Sequence, residues 1–286
     1  MSKFISALGF LTIIKIPGKY IKKKEQLAGS TIYFPLVGLL IGSFMALFYF
    51  TVSFILPVFL SIIMLLILEV FVTGGSHLDG LGDMFDGIFS GECERKKVLK
   101  IMAKSETGVY GVLAIFFLLL LKIFLLFYIK EINSSYLPLF FLTVMFMPAF
   151  SRWGMVYMIG RYENVRGKAS LARVFTDSRD RRKNLYISSV YMTSLFLVSY
   201  VLIEYHYLDV NSHNIIFTDG LAGIYLIFYF LFKAVLVIVV FSLLQLFTGW
   251  FFTRRIGGIT GDIIGGVSEV AELIFLLIIF LVSNFL

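Results

Sequence analysis

Seven long apolar runs dominate the chain and restrict what it can fold into. They cover residues 31–52, 55–73, 107–129, 136–159, 184–204, 219–246 and 264–284. Each is about 20 residues long, the length that an α-helix needs to cross a bilayer. Hydrophobic residues make up 59% of the sequence and the mean hydropathy is +0.93, whereas soluble domains are usually under about half apolar. We therefore predict an all-α fold, a polytopic transmembrane helical bundle of about seven spans, forming one integral membrane domain over residues 1–286.

The distribution of basic residues predicts the orientation of this bundle. Most of the 25 Lys and Arg residues fall in segments 1–30, 74–106, 160–183 and 247–263. Because loops rich in Lys and Arg stay in the cytoplasm, these segments are predicted to be cytoplasmic. The apolar stretch 4–16 is followed by lysines and not by a cleavage site, which predicts an N-terminal interfacial helix. The protein is thus expected to be a multi-pass protein of the cytoplasmic (cell inner) membrane.

The net charge of +7 fits these basic loops and their contacts with anionic lipid. Membrane lipid is therefore an expected partner. Nucleic acid is not, because the basic residues follow the loops between spans and do not form a separate basic domain. The sequence leaves the formation of a homo-oligomer open.

Three aspartates, Asp79, Asp83 and Asp86, recur at the spacing i, i+4, i+7. On an α-helix their carboxylates lie within about 40° of one another, since each residue turns about 100°. Such a cluster favours Mg²⁺, Mn²⁺ or Ca²⁺, because without a cation the repulsion forces a carboxylate to take up a proton. The alternative is a solvated acidic loop. The apolar residues between the acids instead favour an acidic amphipathic helix on the cytoplasmic side of the membrane.

Glu69, Glu269 and Glu272 lie inside the apolar runs and Asp262 lies just before the last one. A charge at such a position is costly unless it faces a partner or a cavity. Glu69 and Asp262 are predicted as further metal ligands, and Glu269 and Glu272 as substrate-binding residues. Thr260, in the glycine-rich segment before the last run, is predicted to contact phosphate at a helix N-terminus. The alternatives are that Glu69 snorkels or stays protonated, and that the glycines serve helix packing.

Several basic residues complete the candidate site. Arg152 lies inside an apolar run and needs an acidic partner, for which Glu69 or another site acid is the candidate. Lys168 and Arg173, in the longest basic loop, are predicted with Arg152 to bind substrate phosphate. Four other basic residues of that loop are predicted to contact lipid headgroups, namely Arg179, Arg181, Arg182 and Lys183. His77 either caps the start of the acidic helix or acts as a base.

Acidic metal ligands and basic residues together on a membrane face indicate phosphoryl transfer. A divalent cation bridges a diphosphate and neutralises the charge on the leaving group. Asp79, Asp83 and His77 are the candidates for the catalytic groups. The membrane setting favours a large or amphipathic substrate.

Four segments resemble the cobalamin synthase family, the adenosylcobinamide-GDP ribazoletransferases. The most specific is 73–87, with the sequence TGGSHLDGLGDMFDG. The supporting segments are 34–38 (FPLVG), 101–111 (IMAKSETGVYG) and 258–262 (GITGD), the last followed by Glu269 and Glu272. Together they extend over nearly the whole chain.

This resemblance implies a reaction. The ribose 3′-hydroxyl of α-ribazole, or of its 5′-phosphate, attacks the cobinamide-bound phosphorus of adenosylcobinamide-GDP, GMP leaves, and adenosylcobalamin or its 5′-phosphate forms. Mg²⁺ is the implied cofactor, whereas the corrinoid cobalt belongs to the substrate. Ser105 and Gly108 are implied to contact the substrate. Lys104 and Glu106 stand where the family usually has Asp and Arg, so an ion pair between them would have reversed polarity.

Two other functions are alternatives at this point. A CDP-alcohol phosphotransferase would use a similar acidic segment for phospholipid synthesis, although its spacing of acids differs. A cation transporter would line a path with Glu69, Asp262 and Glu269, and would need acids near the outer face. Release of GMP, release of CMP or ion flux distinguishes the three.

Overall fold

The chain is almost entirely helical in the computed structural model, which describes residues 2–16, 24–104, 106–132, 137–166, 170–211 and 220–285. Within these ranges, extended pairing is limited to one isolated bridge, so the predicted all-α class is confirmed. A 3₁₀ helix occupies Gly29–Tyr33. The α-helices are α1 Ser2–Leu11, α2 Lys24–Ala28, α3 Phe34–Val52, α4 Val58–Thr73, α5 Ser76–Phe89, α6 Arg95–Ile101, α7 Val109–Ile132, α8 Leu137–Arg161, α9 Leu171–Thr176, α10 Arg181–Asn211, α11 Gly220–Ile256 and α12 Gly261–Phe285.

Among the described residues, six stretches are long and apolar enough to cross a membrane, and a seventh exists if the bent pair α4 and α5 is counted as one span. The six are Gln26–Val52, Val109–Glu131, Leu137–Arg161, Arg181–His206, Gly223–Ile256 and Gly261–Asn284. This confirms the predicted polytopic bundle of about seven spans. The largest difference in boundaries is at the span predicted to end at residue 246, whose helix continues to Ile256 and ends before Gly257, where φ is +94°.

Two glycines separate α4 from α5. Gly74 and Gly75 have φ of +68° and +70°, a left-handed conformation that side chains with a Cβ rarely adopt. The chain bends there by 91°. The apolar helix α4 therefore ends at Thr73, and the acidic helix predicted from the aspartate spacing begins at Ser76.

Helix α5 packs against the first turns of α7 and α12, so it lies at the end of the bundle where those two helices begin. Its approach to α12 depends on Gly80, where a Cβ would lie 2.7 Å from the carbonyl oxygen of Asp262. Leu81 and Met84 line the same contact and are buried. The acidic residues of α5 are thereby held beside the N-terminus of α12.

The segment that follows α1 contacts the bend between α4 and α5. The backbone N–H of Ile13 donates to the carbonyl oxygen of Val72 over 2.9 Å. The Phe10 ring stacks on Phe34 and meets the edge of Phe175, with ring centroids 5.6 and 4.8 Å away. Ile13 and its neighbour Ile14 are exposed just after α1, which suits a segment at a membrane interface.

Candidate active site

The acidic face of α5 meets the start of α12, and Asp83 lies at their junction. Burial and the nearby carboxylates of Asp262, Asp79 and Asp86 raise the pKa of Asp83 from 3.8 to about 6, although Arg166 opposes this shift. The helical spacing thus gathers the three predicted aspartates, and α12 adds the fourth. The repulsion among these carboxylates is the main electrostatic feature of the site.

Asp86 has a second role at the start of α7. Its carboxylate accepts hydrogen bonds from the backbone N–H of Gly108 over 2.6 Å and of Gly111 over 2.9 Å. Gly108 immediately precedes α7 and Gly111 lies in its first turn, where N–H groups lack partners within the helix. Asp86 therefore anchors α7 to the acidic face. Gly108 was predicted to contact the substrate, and its N–H donates to Asp86 in this structure.

Asp262 is held by a basic residue from the loop after α8. The N–H of Val165 donates to the carbonyl oxygen of Ile259, and the N–H of Ile259 donates to that of Glu163, both over 2.9 Å. This pairing brings Arg166 to Asp262, with a closest nitrogen–oxygen distance of 2.5 Å. Arg166 is partly exposed, so a guanidinium lies beside the acidic face where a phosphate can reach it.

The donor set of the acidic face suits a hard divalent cation. Carboxylate oxygens are the ligands that Mg²⁺ prefers, and a cation would relieve the repulsion that raises the pKa of Asp83. Among the described residues, no group of three or more His, Cys, Asp or Glu side chains is already arranged around one point as a metal site. The residues therefore fit Mg²⁺ by chemistry and proximity. Their binding of metal remains a prediction.

A cavity of about 270 Å³ opens beside the acidic face. Asp79, Asp262 and His77 line one side of it, and α8, α9 and α1 form the other. His77 is buried, and its Nδ1 atom has no hydrogen-bond partner within the described structure. Burial and the positive charge of Arg152 lower the pKa of His77 to about 3. The side chain is therefore neutral at pH 7, and it does not cap α5, whose N-cap is Gly75.

A buried network of charged side chains lies behind this cavity. Lys122 of α7 donates to Glu269 of α12 over 2.8 Å and also to Glu272, and it lies 3.7 Å from Glu69 of α4. Arg152 of α8 donates to Glu272 over 2.6 Å and lies 4.0 Å from Glu69. All five side chains are at most 6% exposed. Four helices are thus joined by ion pairs in the interior of the bundle.

This network changes the interpretation of several predicted site residues. The expectation that Arg152 pairs with Glu69 or another acid agrees with the observed contacts. Glu69, predicted as a metal ligand, contacts Lys122 and Arg152 and not the aspartates of α5. Glu269 and Glu272, predicted to contact substrate, are engaged in the same network. The network supports the helices that carry the acidic face.

The remaining predicted residues are placed as follows. Thr260 is buried, and its hydroxyl accepts a hydrogen bond from the N–H of Ile263, so it caps α12. Arg173 pairs with Asp177 on α9 over 2.9 Å. Ser105 and Lys168 lie outside the described residues, as do Gly167 and Ala169 beside Lys168.

Three residues at the site or in the network behind it, Lys122, Arg166 and Phe10, had no role predicted from the sequence. Lys122 stands alone in the apolar run of α7, and the cost of such a charge was a signal that it has partners. Arg166 was one of eight basic residues in its loop, and nothing in the sequence distinguished it. The sequence does not distinguish Phe10 from the many other aromatic residues of this chain, because its position in the cavity wall depends on a long-range contact.

Comparisons with known proteins identify the family of the chain. The model of the family described as cobalamin-5-phosphate synthase matches residues 3–280. A protein of Alkaliphilus metalliredigens is 32% identical over 99% of this chain and 97% of its own length. One from Clostridioides difficile is 32% identical over 98% of both chains, and one from Clostridium tetani is 27% identical over 96% of this chain and 94% of its own. All three are named adenosylcobinamide-GDP ribazoletransferase.

No solved structure matches the chain. The family match extends over the whole membrane domain, including α5, the start of α12 and the helices of the charge network. The chain belongs to the cobalamin-5-phosphate synthase family.

Proposed function

We propose that this protein is an adenosylcobinamide-GDP ribazoletransferase, a Mg²⁺-dependent transferase of substituted phosphate groups. The observation that carries the proposal is the junction of α5 and α12, where Asp79, Asp83, Asp86 and Asp262 share one face beside the guanidinium of Arg166. Clustered carboxylates with a nearby cation suit the handling of a diphosphate. The names of the relatives supply the substrate.

In this mechanism the reaction is a displacement at phosphorus. The 3′-hydroxyl of α-ribazole, or of its 5′-phosphate, attacks the cobinamide-bound phosphorus, and GMP leaves. Mg²⁺ held by Asp83, Asp86, Asp262 and Asp79 would supply charge neutralisation on the diphosphate. Arg166 contacts a non-bridging phosphate oxygen.

The hydroxyl proton passes to a carboxylate. His77 is a weak acceptor, because a pKa of about 3 leaves it neutral without affinity for a proton at pH 7. Asp79 lines the cavity next to His77, so we assign the acceptor role to Asp79. The neutral His77 orients the substrate by hydrogen bonding.

We place the site on the cytoplasmic face. The last turns of α8 and α11 carry Arg161, Arg254 and Arg255, at the end of the bundle where α12 begins. Loops rich in Arg and Lys are retained in the cytoplasm.

The test uses purified protein in lipid nanodiscs with adenosylcobinamide-GDP, α-ribazole and Mg²⁺. We expect release of GMP together with formation of adenosylcobalamin, and no release of CMP from CDP-alcohols. Asp83→Asn should reduce the rate by at least about 100-fold, because charge stabilisation at a transferring phosphate supplies several kcal/mol. The matched control is Asp180→Asn, at an exposed position between α9 and α10, which should be as active as the wild type. Full activity of Asp83→Asn would overturn the assignment.

A further inference from the structure

The cavity beside the acidic face has two chemically different ends. One end carries the carboxylates of Asp79 and Asp262 together with His77. The other end is formed by apolar side chains from three helices, namely Phe10 of α1, Met155 and Ile159 of α8, and Ala172 and Phe175 of α9. A ligand that fills it must therefore present apolar groups to one part of the wall and polar groups to another.

The apolar end presents aromatic rings in a fixed arrangement. Phe175 is 1% exposed, and its ring meets Phe10 at an interplanar angle of 60°. Phe34 packs behind both rings, 5.6 Å from Phe10 and 5.7 Å from Phe175. Because these contacts hold the rings in place, the cavity wall can receive a planar aromatic group by stacking or by edge-to-face contact.

The size and the lining of the cavity exclude a corrin ring and a lipid acyl chain as its occupant. At about 270 Å³ it lies just below the range of about 300–1,000 Å³ that holds drug-sized ligands. A nucleoside is compatible with this size, whereas a corrin ring with its side chains is far too large. A lipid acyl chain would fill the apolar end but would leave the carboxylates and the unpartnered Nδ1 of His77 without a polar group.

The polarity of the wall also distinguishes between two aromatic bases. Guanine carries several donors and acceptors on its edges, and burying them without partners is costly. The apolar end offers none among its five side chains, since the acids lie at the other end, where the metal and the diphosphate are expected. An apolar bicyclic base, such as a substituted benzimidazole, leaves no unsatisfied group there.

We propose that this cavity is the subsite for the acceptor nucleoside, with its aromatic base packed against the wall formed by Phe10 and Phe175 and its ribose directed towards Asp79 and His77. This inference rests on the proposed function. It makes the N-terminal helix α1 a wall of the active site and assigns the corrinoid substrate to the open side of the acidic face. Phe10 and Phe175 are then specificity-determining residues.

The test measures binding of α-ribazole alone to the protein in nanodiscs by isothermal titration calorimetry. Phe10→Ala and Phe175→Ala should each weaken binding roughly tenfold, the loss expected for one base–aromatic contact. Phe54→Ala is the matched control, because Phe54 is 75% exposed between α3 and α4, and it should bind as the wild type does. GMP should not displace α-ribazole.

A second variant keeps the inference testable if either alanine variant fails to fold. Ala172→Leu should fill the apolar end and abolish binding of α-ribazole. In steady-state kinetics, the folded variants should raise the KM for α-ribazole and leave the KM for adenosylcobinamide-GDP unchanged.

The outcomes separate this inference from the proposed function. If the wild type binds no α-ribazole, the proposed function fails and the inference with it. If the wild type binds α-ribazole but the folded Phe10→Ala, Phe175→Ala and Ala172→Leu proteins bind it equally well, or if GMP competes for the cavity, the function stands and the subsite is wrong.

Discussion

The ammonium group of Lys122 lies 2.8 Å from a carboxylate oxygen of Glu269 in the interior of the bundle. The pair joins α7 to α12, the two helices whose first turns hold the acidic helix α5. Among the described residues, three acidic side chains and two cations form this network, so removal of either cation leaves buried negative charge without its partner.

Replacement of Lys122 by Met should destabilise the protein by about 3–5 kcal/mol, the usual cost of removing one partner from a buried ion pair. Glu69, Glu269 and Glu272 would then share only Arg152. Thermal unfolding in nanodiscs measures the effect. The control is Lys97→Met, because Lys97 is 59% exposed and its ion pairs with Glu92 and Glu94 contribute little.

A double variant tests whether the loss comes from charge imbalance. Lys122→Met with Glu269→Gln removes one charge of each sign and should recover part of the stability lost in Lys122→Met alone. If the double variant is less stable than Lys122→Met by the full cost of Glu269→Gln in the wild type, the two residues are not coupled and the network is not a cooperative unit.

The contact between α5 and α12 gives a second prediction. In Gly80→Ala, the new Cβ would lie 2.7 Å from the carbonyl oxygen and 3.2 Å from the Cα of Asp262. Both are backbone atoms, so the helices must separate, at a cost of about 1–3 kcal/mol. Both the unfolding temperature and the activity should fall.

The matched control is on the same helix. A Cβ at Gly82 would lie 3.4 Å from the side chain of Ile115, an ordinary contact. Gly82→Ala should keep or slightly raise the unfolding temperature, because alanine favours a helix over glycine by about 1 kcal/mol. Equal losses in Gly80→Ala and Gly82→Ala would mean that helix propensity, and not the close approach to α12, governs the effect.

The parts of this site that depend on local periodicity could be predicted from the sequence. The spacing of Asp79, Asp83 and Asp86 predicts one helical face, and the apolar runs predict the bundle. The depth of Arg152 predicts a buried acidic partner, which is Glu272. Local patterns determine these features because each follows from the geometry of one helix or the cost of one buried charge.

Features that depend on packing between distant segments could not be predicted. Asp86 binds the N-terminus of α7, more than 20 residues away in sequence, and no periodicity specifies this contact. Glu69 and Asp262 were predicted together as metal ligands, yet they belong to two different clusters. Their separation depends on the bend at Gly74 and Gly75, whose angle the sequence does not specify.

The pKa of Asp83 gives a prediction about Mg²⁺. Because burial and the neighbouring carboxylates raise this pKa to about 6, a proton competes with the cation as the pH falls through 6. The affinity for Mg²⁺, measured by calorimetry, should therefore decrease between pH 7 and pH 5. In Asp83→Asn this pH dependence should be much reduced, and an unchanged dependence would assign the titration to another group.

The raised pKa of Asp83 also affects the stability of the metal-free protein, which should increase as the pH falls, whereas the affinity for Mg²⁺ should decrease. A carboxyl group whose pKa is higher in the folded protein than its ordinary value of 3.8 favours the folded state when protonated. Its destabilising effect is complete above about pH 6 and is relieved as the pH falls towards 4. Without Mg²⁺, the wild type should gain stability relative to Asp83→Asn over this interval.

The sole cysteine, Cys93, can test the orientation of the site. Cys93 is exposed in the loop between α5 and α6, next to the acidic helix, and so should face the cytoplasm. A membrane-impermeant maleimide should label it in inverted membrane vesicles and not in intact spheroplasts. For the opposite side, Phe54→Cys in a Cys93→Ser background places an exposed thiol between α3 and α4, which should be labelled in spheroplasts. The reverse pattern for the two cysteines would place the acidic face outside and exclude catalysis with cytoplasmic substrates.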